Sequence, residues 1–270
     1  MAHEWIVDGL ESIWDAIDKV VRPIAPEDYE RATPCPGWSV RDVLSHLLGF
    51  ELMMRGTPAP EVDFEMPDYV RNVIGELNER FVVAHRNEPG IEVLNQFWEA
   101  TRTSLQALRN LSDEEWEKVG WSPEGDAPHH RFQETRILDS WIHLQDIRDA
   151  LLMPEDDHGI GEEVVVNRFE SALPYVIGKR AKTPEGSIVR FNLVGRLARS
   201  VTVQVVDGRA KAISSTDDDV TLEITTPVAL FWRRGAGRIS DKAFLDASST
   251  FVTGDRKLAQ AIASGLAVLI

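Results

Sequence analysis

The hydrophobic period changes once along this chain, and that change constrains the architecture more than any other feature. Through about residue 150 the apolar residues recur at spacings of three and four; from Ser187 they alternate. Between Glu4 and Val21 the residues Trp5, Ile6, Leu10, Ile13, Trp14, Ile17, Val20 and Val21 form an amphipathic stripe that Pro23 and Pro26 end. After the loop Thr33-Pro34-Cys35-Pro36-Gly37-Trp38, Ser39 reads as an N-cap. Asp42, three residues on, completes a capping box ahead of the buried face Val40, Val43, Leu44, Leu47 and Leu48. A Pro-rich acidic interval, Gly56–Pro67, breaks the pattern, which resumes over Tyr69–His85 and Ile91–Leu111. A Gly-, Pro- and Asp-rich loop, Gly120–Pro128, precedes a last helix over about Phe132–Leu152, with Ile137, Trp141, Leu144, Ile147 and Leu151 on one stripe. Long helices with one dominant apolar face each predict an antiparallel four-helix bundle.

Beyond Ser187 the alternation predicts strands at Ser187–Val194 and Val201–Val206, and Asp207-Gly208 predicts a hairpin turn into Arg209–Ile213. Val220–Thr225 is a further strand, Pro227 opens a short helix through Arg233, and Leu258–Leu266 is a closing helix. The fold class is therefore α+β in two domains: a helical bundle over residues 1–158 and a small module with an antiparallel sheet over 159–270. A helix over about Glu162–Ile177 joins them, and the sequence leaves open which domain owns it.

Charge and composition then exclude whole classes of function. The net charge of −15 argues against binding nucleic acid through a basic face. No stretch approaches the roughly 20 apolar residues of a membrane span. The acidic N-terminal stretch does not read as a secretory signal. A single cysteine, Cys35, excludes an internal disulfide and fits a reducing, cytoplasmic setting.

Two histidines stand out by position. His46 lies mid-helix on the shoulder of its apolar stripe, and His143 sits beside the stripe of the last bundle helix. Asp139 is four residues before His143, so both side chains leave one helix face, and Asp146 continues the row three residues later. With an imidazole from a facing helix, that pair makes a three-ligand divalent site with an open position, the pattern of catalytic zinc. The same spacing also suits a hydrogen-bonded surface pair, with His46 bonded to a backbone carbonyl.

The segment Thr33-Pro-Cys-Pro-Gly-Trp-Ser-Val-Arg-Asp-Val-Leu-Ser-His46 closely resembles the signature of the mycothiol-dependent maleylpyruvate isomerase-like family, metal-binding four-helix bundles of the DinB superfamily. Asp139-Ser-Trp-Ile-His143 looks like that family's second signature, and the tail, including Phe251-Val-Thr-Gly-Asp255, resembles its sterol-carrier-like C-terminal domain. The resemblance implies His46, Asp139 and His143 as ligands of zinc or another divalent metal. It also implies mycothiol or another small thiol as cosubstrate. The thiolate would add to a cis-ene-dioate such as maleylpyruvate, the new single bond would rotate, and elimination would give the trans product, or the thiol would be transferred instead. One departure is visible: the isomerases carry glutamate where this chain has Asp139, one methylene shorter.

An anionic small-molecule substrate needs cations, and the resemblance implies an arginine of the C-terminal domain, for which Arg190, Arg196 and Arg199 are the candidates. Cys35, with no basic neighbour in sequence, reads as packing, and Trp38 as a plug of the loop against the bundle. His129 and His130 read as loop residues, His85 as a helix-end histidine, and Asp217-Asp218-Asp219 as a solvated turn. Two further functions compete: a small-ligand or lipid-binding protein with a vestigial metal site, and an acidic interaction protein with a basic partner.

Overall fold

The computed structural model describes residues 3–123, 125–155, 159–214 and 219–269. The chain divides into two compact units, Met1–Glu162 and Glu163–Ile270. Asp217 and Asp218 of the acidic run lie outside the described residues, and Asp219 is exposed. Among the described residues no helix is long and apolar enough to cross a membrane.

The first unit opens with α1 (Glu4–Val21), which buries Ile6, Leu10, Ile13, Trp14, Ile17, Val20 and Val21. Trp5 is 40% exposed, against the expectation that it shares this stripe. At 100° per residue it stands roughly 120° from the centre of the buried stripe, beyond its edge. α2 (Val40–Met54) starts on the capping box: Ser39 Oγ accepts from Asp42 N at 3.2 Å, and Asp42 Oδ2 accepts from Ser39 N at 3.0 Å. α3 (Val73–His85) begins later than the pattern from Tyr69 suggests, because Asn72 caps it by accepting from Gly75 N. α4 (Gly90–Arg109) follows, and then the short α5 (Asp113–Glu117), capped by Ser112 and Glu115.

The Gly/Pro/Asp segment folds as a small antiparallel hairpin, β1 (Val119–Gly120) and β2 (Ala127–Pro128), and α6 (His129–Ala150) starts directly after it. His129 and His130 are therefore the first two residues of a helix, not loop residues. α6 buries Phe132, Ile137, Leu138, Trp141, Ile142, Leu144 and Ile147, so it has no single apolar face and Leu151 falls beyond its end. Helices buried all round sit at the centre of a core. α1 packs on α4 and α6, and α2 packs on the same two, which closes a ring of four helices; α3 lies outside it, on α2.

The second unit contains most of α7 (Ile160–Tyr175), continued by a wider turn over Val176–Arg180. Its sheet is formed by β3 (Ile188–Val194), β4 (Arg199–Val206), β5 (Arg209–Ile213), β6 (Leu222–Pro227) and β7 (Phe251–Gly254), in the order β5-β4-β3-β6-β7. Asp207 and Gly208 both have positive φ, 53° and 69°, as a tight hairpin turn between β4 and β5 requires. One pair departs from the antiparallel expectation: β6 runs parallel to β3. In–out alternation is identical for either strand direction, so only the sheet order reveals it. The helices α8 (Val228–Gly235), α9 (Asp241–Asp246) and α10 (Arg256–Gly265) complete the unit, and in the core Phe169 packs edge-to-face and Phe191 tilted against Phe231, with ring centroids 6.5 and 5.9 Å apart.

Candidate metal centre

The loop before α2 is a compact turn. Thr33 N and Oγ1 both donate to Trp38 O at 2.9 Å, Trp38 N donates to Cys35 O, and Cys35 N donates to Thr33 Oγ1. Gly37 makes the turn possible: its φ is +75°, and a Cβ there would lie 2.4 Å from the Tyr69 ring. The turn sends Cys35 inward and sets Trp38 beside the start of α2. Trp38 Nε1 donates to the buried Glu79 Oε2 at 2.9 Å, and its ring centroid lies 5.1 Å from that of His46 and 6.1 Å from that of His143.

α2 brings His46 to face Asp139 and His143 of α6. His46 Nε2 is 3.2 Å from Asp139 Oδ2, and His143 Nε2 is 3.5 Å from Asp139 Oδ1. The three ligand atoms lie within 4.8 Å of one another, and both histidines are 5% exposed. Asp139 thus offers one oxygen to each ring despite its shorter side chain. It also opens onto a crevice lined by Trp14, Phe50, Glu51 and Arg136.

His143 is faced by carboxylates on both of its nitrogens. Nδ1 lies 3.0 Å from Asp146 Oδ2, and Asp146 is 1% exposed. Burial opposes a charged imidazole here, but Asp139, Cys35 and Asp146 outweigh it and raise the His143 pKa to about 10. A neutral imidazole carries one proton and cannot satisfy two carboxylates; either a second proton or a cation must occupy the Nε2 side. A divalent ion suits that position, with Nδ1–H donating to Asp146 as the carboxylate behind a metal-bound histidine. The separations agree, since ligand atoms about 2.0–2.2 Å from a tetrahedral ion stand roughly 3.3–3.6 Å apart. His46 Nδ1 is buried with no hydrogen-bond partner, so among the described residues the only polar contact of the His46 ring is the one its Nε2 makes with Asp139.

Cys35 departs from its expected isolation. Its Sγ donates to Asp146 Oδ2 at 3.4 Å and lies 3.9 Å from His143 Nδ1. Sequence gave no sign of this, because the partners are 108 and 111 residues away. A second feature that sequence missed is the buried pair of Arg136 and Glu51, 4% and 3% exposed, one turn before Asp139. Arg136 also bonds Gln133, and its guanidinium lies 5.2 Å from the Trp14 ring centroid. His85 closes α3 with Nδ1 2.7 Å from Phe81 O, outside the centre.

The three candidate arginines lie in the second unit, each beside a carboxylate. Arg190 is 3.6 Å from Glu223, Arg196 is 3.8 Å from Glu163, and Arg199 is 3.0 Å from Glu170 and 2.6 Å from Asn167 Oδ1.

Residues 10–148 match the family described as the mycothiol maleylpyruvate isomerase N-terminal domain. Among solved structures, the chain is similar to the crystal structure of the mycothiol-dependent maleylpyruvate isomerase, with a TM-score of 0.58 and 14% identity over 94% of this chain and 93% of that one. It is equally similar to a histidine-to-alanine mutant of that enzyme, with a TM-score of 0.60 at the same identity and coverage. No curated protein matches.

Proposed function

This chain belongs to the mycothiol maleylpyruvate isomerase family through its N-terminal domain, and on that premise we propose that it is a divalent-metal-dependent enzyme working with a low-molecular-weight thiol such as mycothiol. The observation that carries the reading is His143 held between two carboxylates, with His46 converging on the same Asp139. His46, Asp139 and His143 would hold the ion, for which zinc suits a set of two nitrogens and one oxygen. Bound there, the ion would keep a thiol sulfur as thiolate at neutral pH, the role of nucleophile generation.

The chain's own residues do the rest. Asp146 fixes the His143 tautomer by accepting the hydrogen bond from Nδ1–H, and Cys35 donates to the same carboxylate oxygen. Trp38 covers one side of the histidine pair. The reaction is thiol addition, leading either to cis–trans isomerisation of an unsaturated diacid or to transfer of the thiol. Arg190, Arg196 and Arg199 are the clamp proposed for a diacid, yet a substrate carboxylate would have to displace Glu223, Glu163 or Glu170.

Elemental analysis of tag-free protein tests the metal. His46→Ala and His143→Ala should each hold one equivalent of divalent metal less than the parent. Equal metal in all three proteins would remove the assignment. With the metal established, consumption of mycothiol in the presence of maleylpyruvate or of uncharged electrophiles separates the two reactions.

A further inference from the structure

A second group of metal-ligating side chains lies apart from this centre. His3 precedes α1, Glu117 ends α5, and His130 is the second residue of α6. The β1–β2 pairing of Val119 with Pro128, together with the bond from His129 N to Lys118 O at 3.0 Å, brings the end of α5 beside the start of α6. His3 Nε2 lies 3.0 Å from Glu117 Oε1, and His130 Nδ1 lies 3.5 Å from the same oxygen. All three ligand atoms fall within 4.8 Å of one another. These spacings match those of His46, Asp139 and His143.

One detail points to a ligand rather than to a simple ion pair. His130 Nδ1 is buried and makes no hydrogen bond, although Glu117 is its neighbour. A buried polar atom left unpaired is rare in folded proteins and calls for an occupant. The His3 ring is stacked on His130 at 4.9 Å and 10° and set against the buried Trp116 at 5.1 Å, so one of the two parallel rings must turn for both in-plane lone pairs to meet one ion. Glu117 remains 59% exposed, so an ion could enter from solvent and retain water on its open side.

We propose that His3, Glu117 and His130 form a second site for a borderline divalent ion such as Zn²⁺, which fastens the residue before α1 to the junction of α5 and α6. Two imidazoles and one carboxylate suit zinc, nickel or copper, whereas magnesium and calcium select oxygen ligands. Because the ion binds the folded chain, it stabilises that chain in proportion to free metal.

The test uses tag-free full-length His46→Ala/His143→Ala, which lacks both central histidines, titrated with Zn²⁺ against a chromophoric chelator. One equivalent should remain bound at micromolar free zinc, and zinc should raise the melting temperature. Adding Glu117→Ala, at an exposed position, should abolish that equivalent and the zinc-dependent rise while leaving the melting temperature without metal nearly unchanged, and adding His3→Ala should abolish the equivalent as well. Absence of the equivalent in the double variant, or its persistence after His3→Ala and Glu117→Ala, would overturn the site. Neither result bears on the central site, whose two histidines the double variant has removed.

Discussion

At the scale of single residues, the decisive arrangement is the imidazole of His143 between Asp139 and Asp146. Without metal the imidazole is held charged up to about pH 10, so binding an ion must expel its proton. The sign follows: below that pH each rise of one unit removes proton competition and strengthens metal binding about tenfold, until the ring is neutral. Chelator competition at three pH values between neutral and alkaline should show that slope. A flat profile would mean that no proton leaves. Asp146→Asn tests the carboxylate behind the ring: metal affinity should fall about 10- to 100-fold, with no ligand removed. Unchanged affinity in that variant would reduce Asp146 to a packing residue. Asp146 stood in plain view in the sequence, three residues after His143, but its partner Cys35 did not, since a contact across more than a hundred residues leaves no local pattern.

At the scale of elements, local chemistry was readable and tertiary closure was not. The Ser39/Asp42 box and the Asp207-Gly208 turn are short-range devices, and both occur where their residues place them. The β1–β2 hairpin and the early start of α6 depend on pairing across a loop whose composition reads only as irregular. The parallel β3–β6 pair is invisible for the reason that alternation carries no direction. The box also bears on the site, because α2 carries His46 and the cap fixes where the helix begins. Ser39→Ala should therefore cost about 0.5–2 kcal/mol in urea unfolding. It should weaken metal binding as well, since the loop holding Cys35 and Trp38 is bonded to that same helix start. A stability loss with metal affinity unchanged would show that the packing of α2 on α4 and α6 alone sets the position of His46.

At the scale of the whole molecule, the two units divide the chemistry unequally. All the candidate metal ligands, together with Asp146, Cys35 and Trp38, lie within Met1–Glu162, whereas the three candidate arginines lie within Glu163–Ile270. The first unit closes its own ring of four helices and buries Ile6, Leu10, Trp14, Leu44, Phe97 and Ile137, with Trp141 packed against Gly161 of α7. A core of that extent needs no sheet to complete it. A fragment of residues 1–162 should then fold as a helical protein and bind as many equivalents of zinc as the full chain, by circular dichroism and elemental analysis. It should do so without turnover of a dicarboxylate, because its arginine candidates are gone. Metal binding with loss of turnover would assign nucleophile generation to the bundle and substrate selection to the second unit. A fragment that folds but leaves turnover intact would move substrate recognition into the bundle, where Arg136, already paired with Glu51 beside Asp139, is the buried cation nearest the ligands in sequence.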